Sequence, residues 1–216
     1  MNEGMPLRSG GRILVDQLKI HGVDTAFCVP GESYLAVMDA LYDERKTIRL
    51  VVCRQEGGAA FMAEAYGKLT GKPGICMVTR GPGATNASIG VHTAFQDSTP
   101  MILLVGQVGG DIVEREAFQE MDYRRMYGQM AKWVAQIDRA DRIPEYLSHA
   151  FHLAVSGRPG PVVLALPEDM LAEKVVADDA RPYRRIKAHP GITDLEALRA
   201  MLMKSERPLV ILGGGD

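Results

Sequence analysis

The chain is short of cysteine, of net charge and of long apolar runs, and each shortage argues against a class of function. Its three cysteines, Cys28, Cys53 and Cys76, are widely spaced with no CxxC pair, which argues against a zinc ribbon or a dithiol redox motif. Each lies in or beside an apolar run, so all three read as small buried hydrophobes in a reducing cytoplasm. The formal net charge is −2, too weak a field to favour nucleic acid or an anionic membrane. No apolar run approaches the ~20 residues of a membrane span. Residues 1–12 lack the apolar stretch of a secretory signal, so a cytoplasmic location is expected. Internal repeats and low-complexity tracts are also missing.

What the chain does have is apolar material in a regular rhythm. Of 216 residues 46% are hydrophobic and 24% charged, enough to bury the core of one domain of common size with some chain left over. Short runs rich in Val, Ile and Leu recur at 25–29, 48–53, 74–78, 101–105, 133–137 and 162–166. Most are apolar on both faces, as in a parallel sheet covered on both sides. Helical patterns fall between them, at 12–21, from Ser33 as a cap to 41, at 57–69, and at 142–155 behind Asp141 as a cap. Trp133 reads as a core residue. The alternation predicts a doubly wound α/β domain, with a mostly parallel six-stranded sheet and helices on both faces.

That domain is expected to fill residues 1–170. Residues 171–192 are charged, hold two prolines, show no clear period and read as a linker. Residues 193–216 hold a capping box, Thr193-Asp194-Leu195-Glu196, then a helix, a buried-strand pattern at 209–212 and a Gly213-Gly214-Gly215 turn. One helix and one strand cannot bury their own apolar faces. This reads as the start of a truncated central α/β domain whose remainder is missing.

Three segments carry candidate chemistry, and each has a bland reading beside the functional one. Val29-Pro30-Gly31-Glu32 follows the first strand and is, alone, an ordinary turn. Glu56, in Arg54-Gln55-Glu56-Gly57-Gly58-Ala59-Ala60, follows a buried strand and opens a helix, where an acid stabilises the helix dipole. Thr79-Arg80-Gly81-Pro82-Gly83-Ala84-Thr85-Asn86 again joins strand to helix. It is neither a dinucleotide fingerprint nor a P-loop. Taken together, the three set glycine, small residues and a polar group at the carboxyl ends of parallel strands. That is where open α/β sheets bind ligands.

With these segments side by side, the chain resembles the N-terminal domain of the acetolactate synthase family of thiamine-diphosphate enzymes. The pieces that carry the resemblance are VPGES (29–33), RQEGGAA (54–60), TGKPG (70–74), TRGPGATN (79–86), QDSTPMILLVGQV (96–108), AFQE (117–120) and SGRPGPVVLALPED (156–169). The resemblance implies that Glu56 hydrogen-bonds N1′ of the cofactor's aminopyrimidine. That bond favours the 4′-imino tautomer, whose nitrogen takes the proton from thiazolium C2. A carboxyl between an apolar helix and the ring is expected to have a raised pKa. The resemblance also assigns Pro30, Gly31, Pro82 and Asn86 to the pyrimidine, and Phe118, Gln119 and, by a loose alignment, Lys132 to the substrate side. Lys132 reads equally as a solvated surface lysine. Residues 107–119 are charged and read as a flexible loop over the site. Many synthases carry His before the glutamate, where this chain has Gln55. Many carry a smaller residue at Glu32, whose size is expected to reshape the pocket.

No metal site is read in the chain itself, and His149 and His152, three apart on a helix, read as surface residues. The resemblance puts the diphosphate and Mg²⁺ on a C-terminal domain of a second subunit, implying a homodimer or homotetramer, and some relatives hold FAD in the central domain. The leading expectation is an enzyme that joins two pyruvates into acetolactate and CO₂, with this stretch alone inactive. Another thiamine-diphosphate decarboxylase of 2-oxo acids or acyl-CoA, a non-catalytic cofactor-binding module, and an unrelated nucleotide-binding α/β protein remain open.

Overall fold

The computed structural model describes residues 6–211. In chain order the elements are β1 (Arg8–Ser9), α1 (Gly10–Ile20), β2 (Thr25–Cys28), α2 (Leu35–Asp43), β3 (Arg49–Val52), α3 (Glu56–Thr70), β4 (Gly74–Val78) and α4 (Gly81–Gln96). Then come β5 (Met101–Gln107), α5 (Tyr123–Tyr127), β6 (Trp133–Gln136), α6 (Ile143–Val155), β7 (Pro161–Pro167), α7 (Glu168–Ala172), β8 (Lys174–Val175) and α8 (Ile192–Lys204).

Six strands form one sheet in the order β3-β2-β4-β5-β7-β6, and every pairing in it is parallel. Side chains alternate between its faces as the pleat requires. Ile75, Met77, Ile102, Leu104, Val162 and Leu164 join a core with α1, α2 and α6. Cys76, Val78, Leu103, Val105, Val163 and Ala165 join a second core with α3, α4 and α5. The doubly wound α/β expectation therefore holds, with a sheet that is wholly rather than mostly parallel. Trp133 is only half-buried, stacked on Tyr146 at 5.6 Å.

Composition explains how α3 and α4 sit so close. Their facing sides are Ala and Gly, and a Cβ at Gly90 would stand 2.5 Å from that of Ala60. Such approach brings the amino ends of both helices to the same end of the sheet.

Chain order then creates a crevice. From β2 the chain moves outward to β3, whereas from β4 it moves the other way to β5. Strand order thus reverses between β2 and β4, and ligands of open α/β sheets bind at such a switch point.

Several local expectations change. Ser33 does not cap α2 by a side-chain bond; it is buried in a short 3-10 turn, Glu32–Tyr34. Its hydroxyl pairs with Thr79 Oγ1 at 3.0 Å. Asp141 makes no cap on α6, because its carboxylate is held by Arg139. At α8 the bond is from Gly191 N–H to Asp194 at 3.1 Å, two residues earlier than a cap at Thr193 would place it.

Part of the stretch expected as a linker is built into the domain. Its β8 pairs antiparallel with β1. Asp179 then accepts from Arg8 and Gln17, at 2.9 and 2.8 Å, and Tyr183 stacks on Phe151. The α8 helix buries no residue. Leu209, Val210 and Ile211 are exposed and form no strand among the described residues, since a strand needs a ladder partner. Leu212 and the Gly213-Gly214-Gly215 turn lie outside the described residues.

Candidate active site

At the switch point the loop after β2 meets the loop after β4. A Cβ on Gly31 would lie 2.6 Å from Thr79 Cβ, so only glycine lets the two backbones come this near. The Ser33–Thr79 hydroxyl pair ties the same loops from beneath. Ser33 in turn fills the space that a side chain at Gly106 would need, its Oγ lying 1.8 Å from where that Cβ would stand. Three adjacent strand ends, β2, β4 and β5, are thereby locked together.

Glu56 is the first residue of α3 and is half-buried. Its neighbour Gln55 caps the helix, with Oε1 accepting from Gly58 N–H at 2.8 Å. The amide that stands where many synthases carry His is thus committed to the helix end. Across the crevice, Asn86 in the second turn of α4 donates to Glu56 Oε2 at 2.9 Å. The other oxygen, Oε1, lies 3.6 Å from where a Cβ on Gly83 would stand. Glycine at that position leaves the space beside the carboxylate open.

Of the expected site residues, Glu56, Asn86 and Pro82 come together at the amino ends of α3 and α4, and Gly31 faces Thr79 beside them. Pro30 and Pro82 are exposed, Pro82 in the first turn of α4. Gln119 reaches the group through its backbone: its carbonyl accepts from Gly81 N–H at 2.9 Å. Phe118, next to it, is 70% exposed.

Lys132 is not brought to this site. It precedes β6, and its N–H pairs with Pro161 at the amino end of β7. Its ammonium donates to the carbonyls of Leu153 and Ser156 at the C-terminal end of α6. A cation there satisfies orphan carbonyls and complements the helix dipole. Burial lowers its pKa from the ordinary lysine value.

Glu32 follows Gly31 and is exposed. Its carboxylate lies 3.4 Å from Arg80 Nη1. Of the cysteines, Cys28 and Cys76 are buried and Cys53 is half-buried. Burial pushes the Cys28 thiol up to about 11, helped by Cys53. His149 packs edge-on against Trp133, and His152 Nδ1 lies 2.7 Å from the Ser148 carbonyl.

A cavity of about 280 Å³ opens at the carboxyl ends of β5, β6 and β7, lined by Gln107, Glu120, Tyr123, Gln136 and Asp138 among others. None of Gly31, Glu56, Pro82 and Asn86 lines it. Sequence reasoning missed it because its walls come from strand ends and a loop far apart in the chain.

Comparison with known proteins agrees with this geometry. Residues 8–126 match the family described as thiamine pyrophosphate enzyme, N-terminal TPP binding domain. Acetolactate synthase 3, chloroplastic, of Brassica napus is 36% identical, across 97% of this chain and 33% of that protein. The acetolactate synthase isozyme 2 large subunit of Escherichia coli strain K12 is 35% identical, across 96% and 37%. The acetolactate synthase large subunit of Corynebacterium glutamicum is 34% identical, across 96% and 34%. The chain spans about a third of the length of these curated relatives. With the switch-point crevice and the family match in agreement, this chain belongs to the thiamine pyrophosphate enzymes, as an N-terminal TPP-binding domain.

Proposed function

We propose that the crevice takes the aminopyrimidine of thiamine diphosphate, with Glu56 as its proton-sharing partner, in an acetolactate synthase-like enzyme acting on 2-oxo acids. The observation that carries this is the Glu56–Asn86 pair. It holds one carboxylate oxygen and leaves the other beside Gly83, 3.6 Å from where a Cβ there would stand.

The residues fit such a ring. Gly31 and Gly83 present backbone without side chains to a flat group, and Pro82 borders the same space. When bound, thiamine diphosphate supplies an electron sink for the bond that breaks beside the 2-oxo group. The chain's own part is narrower. Asn86 orients the carboxyl, Glu56 holds or releases a proton at Oε1, and the locked strand ends fix the distance between the loops. On this reading Phe118 and Gln119 belong to the substrate side, and the Gln119 carbonyl, which accepts from Gly81 N–H, supports this for Gln119.

The proposal places Mg²⁺ and the diphosphate on a C-terminal domain of a second subunit, so the working form is a homodimer or homotetramer. FAD is left to the central domain that begins near residue 193. The domain in isolation then binds cofactor weakly and turns nothing over.

The test is to incubate the full-length protein with pyruvate, thiamine diphosphate and Mg²⁺ and to measure CO₂ and acetolactate. Both products support a synthase. CO₂ with an aldehyde in place of acetolactate points to a simple decarboxylase, and no turnover of any 2-oxo acid overturns the reading.

A further inference from the structure

One buried cation also bridges the loops that border Glu56. Arg80, directly before Gly81, is 6% exposed. Its Nη2 donates to Glu168 at 2.5 Å and its Nη1 to Glu32 at 3.4 Å, while its Nε is buried without a partner. Glu32 directly follows Gly31, and Glu168 opens α7 behind β7. In the order β2-β4-β5-β7, Glu32 stands one strand to one side of Arg80 and Glu168 two strands to the other. Two strand spacings are about 10 Å, a gap that an extended arginine and a glutamate close end to end.

Helix stability does not explain this arginine. A cation at the amino end of α4 opposes the helix dipole, and burying it adds a desolvation cost. What the position gains is a forked donor whose two arms point to different elements, which a lysine cannot reproduce. Glu32, Arg80 and Glu168 each sit at the carboxyl end of a different strand, and two of them adjoin the glycines of the crevice.

We propose that Arg80 is a positioning residue, a clasp that sets the gap between the Gly31 loop and the Gly81–Gly83 loop in which the pyrimidine sits. This rests on the reading of the site given above. Arg80 touches neither cofactor nor substrate; it acts through Glu32 and Glu168, which hold the two loops at fixed separation.

The experiment is calorimetric titration of thiamine diphosphate, with Mg²⁺ present, into the full-length protein and its Arg80→Met, Arg80→Lys, Glu168→Gln and Arg80→Met/Glu168→Gln variants, with melting temperatures in parallel. Arg80→Met is expected to raise Kd about tenfold. Glu168→Gln, on a partly exposed pair, is expected to raise it about threefold. Arg80→Lys recovers part of the loss, and the double variant binds no more weakly than Arg80→Met alone. A merely structural arginine would lower the melting temperature and leave Kd unchanged, and that result overturns the clasp. Should Arg80→Met fail to fold, unchanged Kd in both Arg80→Lys and Glu168→Gln overturns it equally. If the unsubstituted protein does not bind thiamine diphosphate, the reading of the site itself falls, and the clasp with it.

Discussion

Asn86 donates its side-chain amide to Glu56 at 2.9 Å, joining the second turn of α4 to the first residue of α3. Two helices that meet through alanine and glycine thus deliver one oriented carboxyl group to the switch point of the sheet. Most of what can be tested in this domain follows from that pairing and from the packing behind it.

Removing the amide loosens the carboxyl without removing it. Asn86→Ala in the full-length protein is expected to lower kcat about tenfold, with a smaller change in KM for the 2-oxo acid. Asn86→Asp, which sets a like charge against Glu56, is expected to lose more. Steady-state kinetics of both variants checks the order, and a rate equal to that of the unsubstituted protein contradicts the orienting role.

The locked strand ends predict a sharp contrast between two glycines. Gly106→Ala puts a Cβ 1.8 Å from Ser33 Oγ, so Ser33 must leave its bond to Thr79. The expected cost is about 1–3 kcal/mol. At Gly58 nothing lies within 4 Å of an added Cβ, and Gly58→Ala within α3 is expected to be neutral or to stabilise by up to about 1 kcal/mol. Denaturant unfolding of the two variants measures the difference.

These cases mark where the sequence was legible. The 74–78 run became β4 unchanged, and the other strands shifted by a residue or two at their ends, because runs apolar on both faces fit only a covered parallel sheet. Glu56 was visible as the acid that follows a strand and opens a helix. Lys132 could be read either way because a lysine before a strand carries no mark of which end of the sheet it occupies. Residues 176–183 were read as linker because their anchors are single polar and aromatic contacts, Asp179 on Arg8 and Tyr183 on Phe151, with no period to see. Arg80 gave no signal either, since its two partners lie 48 and 88 residues away in the chain.

His21 makes that docked segment sensitive to pH. It is buried, stacked on Phe151 at 4.4 Å, and its Nδ1 accepts from Tyr183 N–H at 3.2 Å. Burial, aided by nearby His152, lowers its pKa from 6.5 to about 4. Tyr66, Tyr183 and Lys72 line the same small space and offer it no acid. The unfolded chain therefore takes up the proton first, and stability is lost as pH falls from 6.5 to about 4. Melting temperatures across that window are expected to drop more steeply for the unsubstituted protein than for His21→Phe.

Lys132 separates fold from function. Lys132→Met removes the donor to the Leu153 and Ser156 carbonyls and is expected to cost about 1 kcal/mol of stability. Affinity for thiamine diphosphate and kcat are expected to stay unchanged. A drop in kcat at equal stability would return Lys132 to the substrate side.

The central claim is that Glu56 activates the cofactor, and the most direct measurement is the rate at which the thiazolium C2 proton of bound thiamine diphosphate exchanges with deuterium. It is followed by quenched-flow NMR in the full-length protein and in Glu56→Gln, which keeps shape and hydrogen bonding but cannot carry the proton. Exchange slowed by about 100-fold or more in Glu56→Gln, with cofactor still bound, is the predicted result. Equal exchange rates in the two proteins, both saturated with cofactor, would contradict the account.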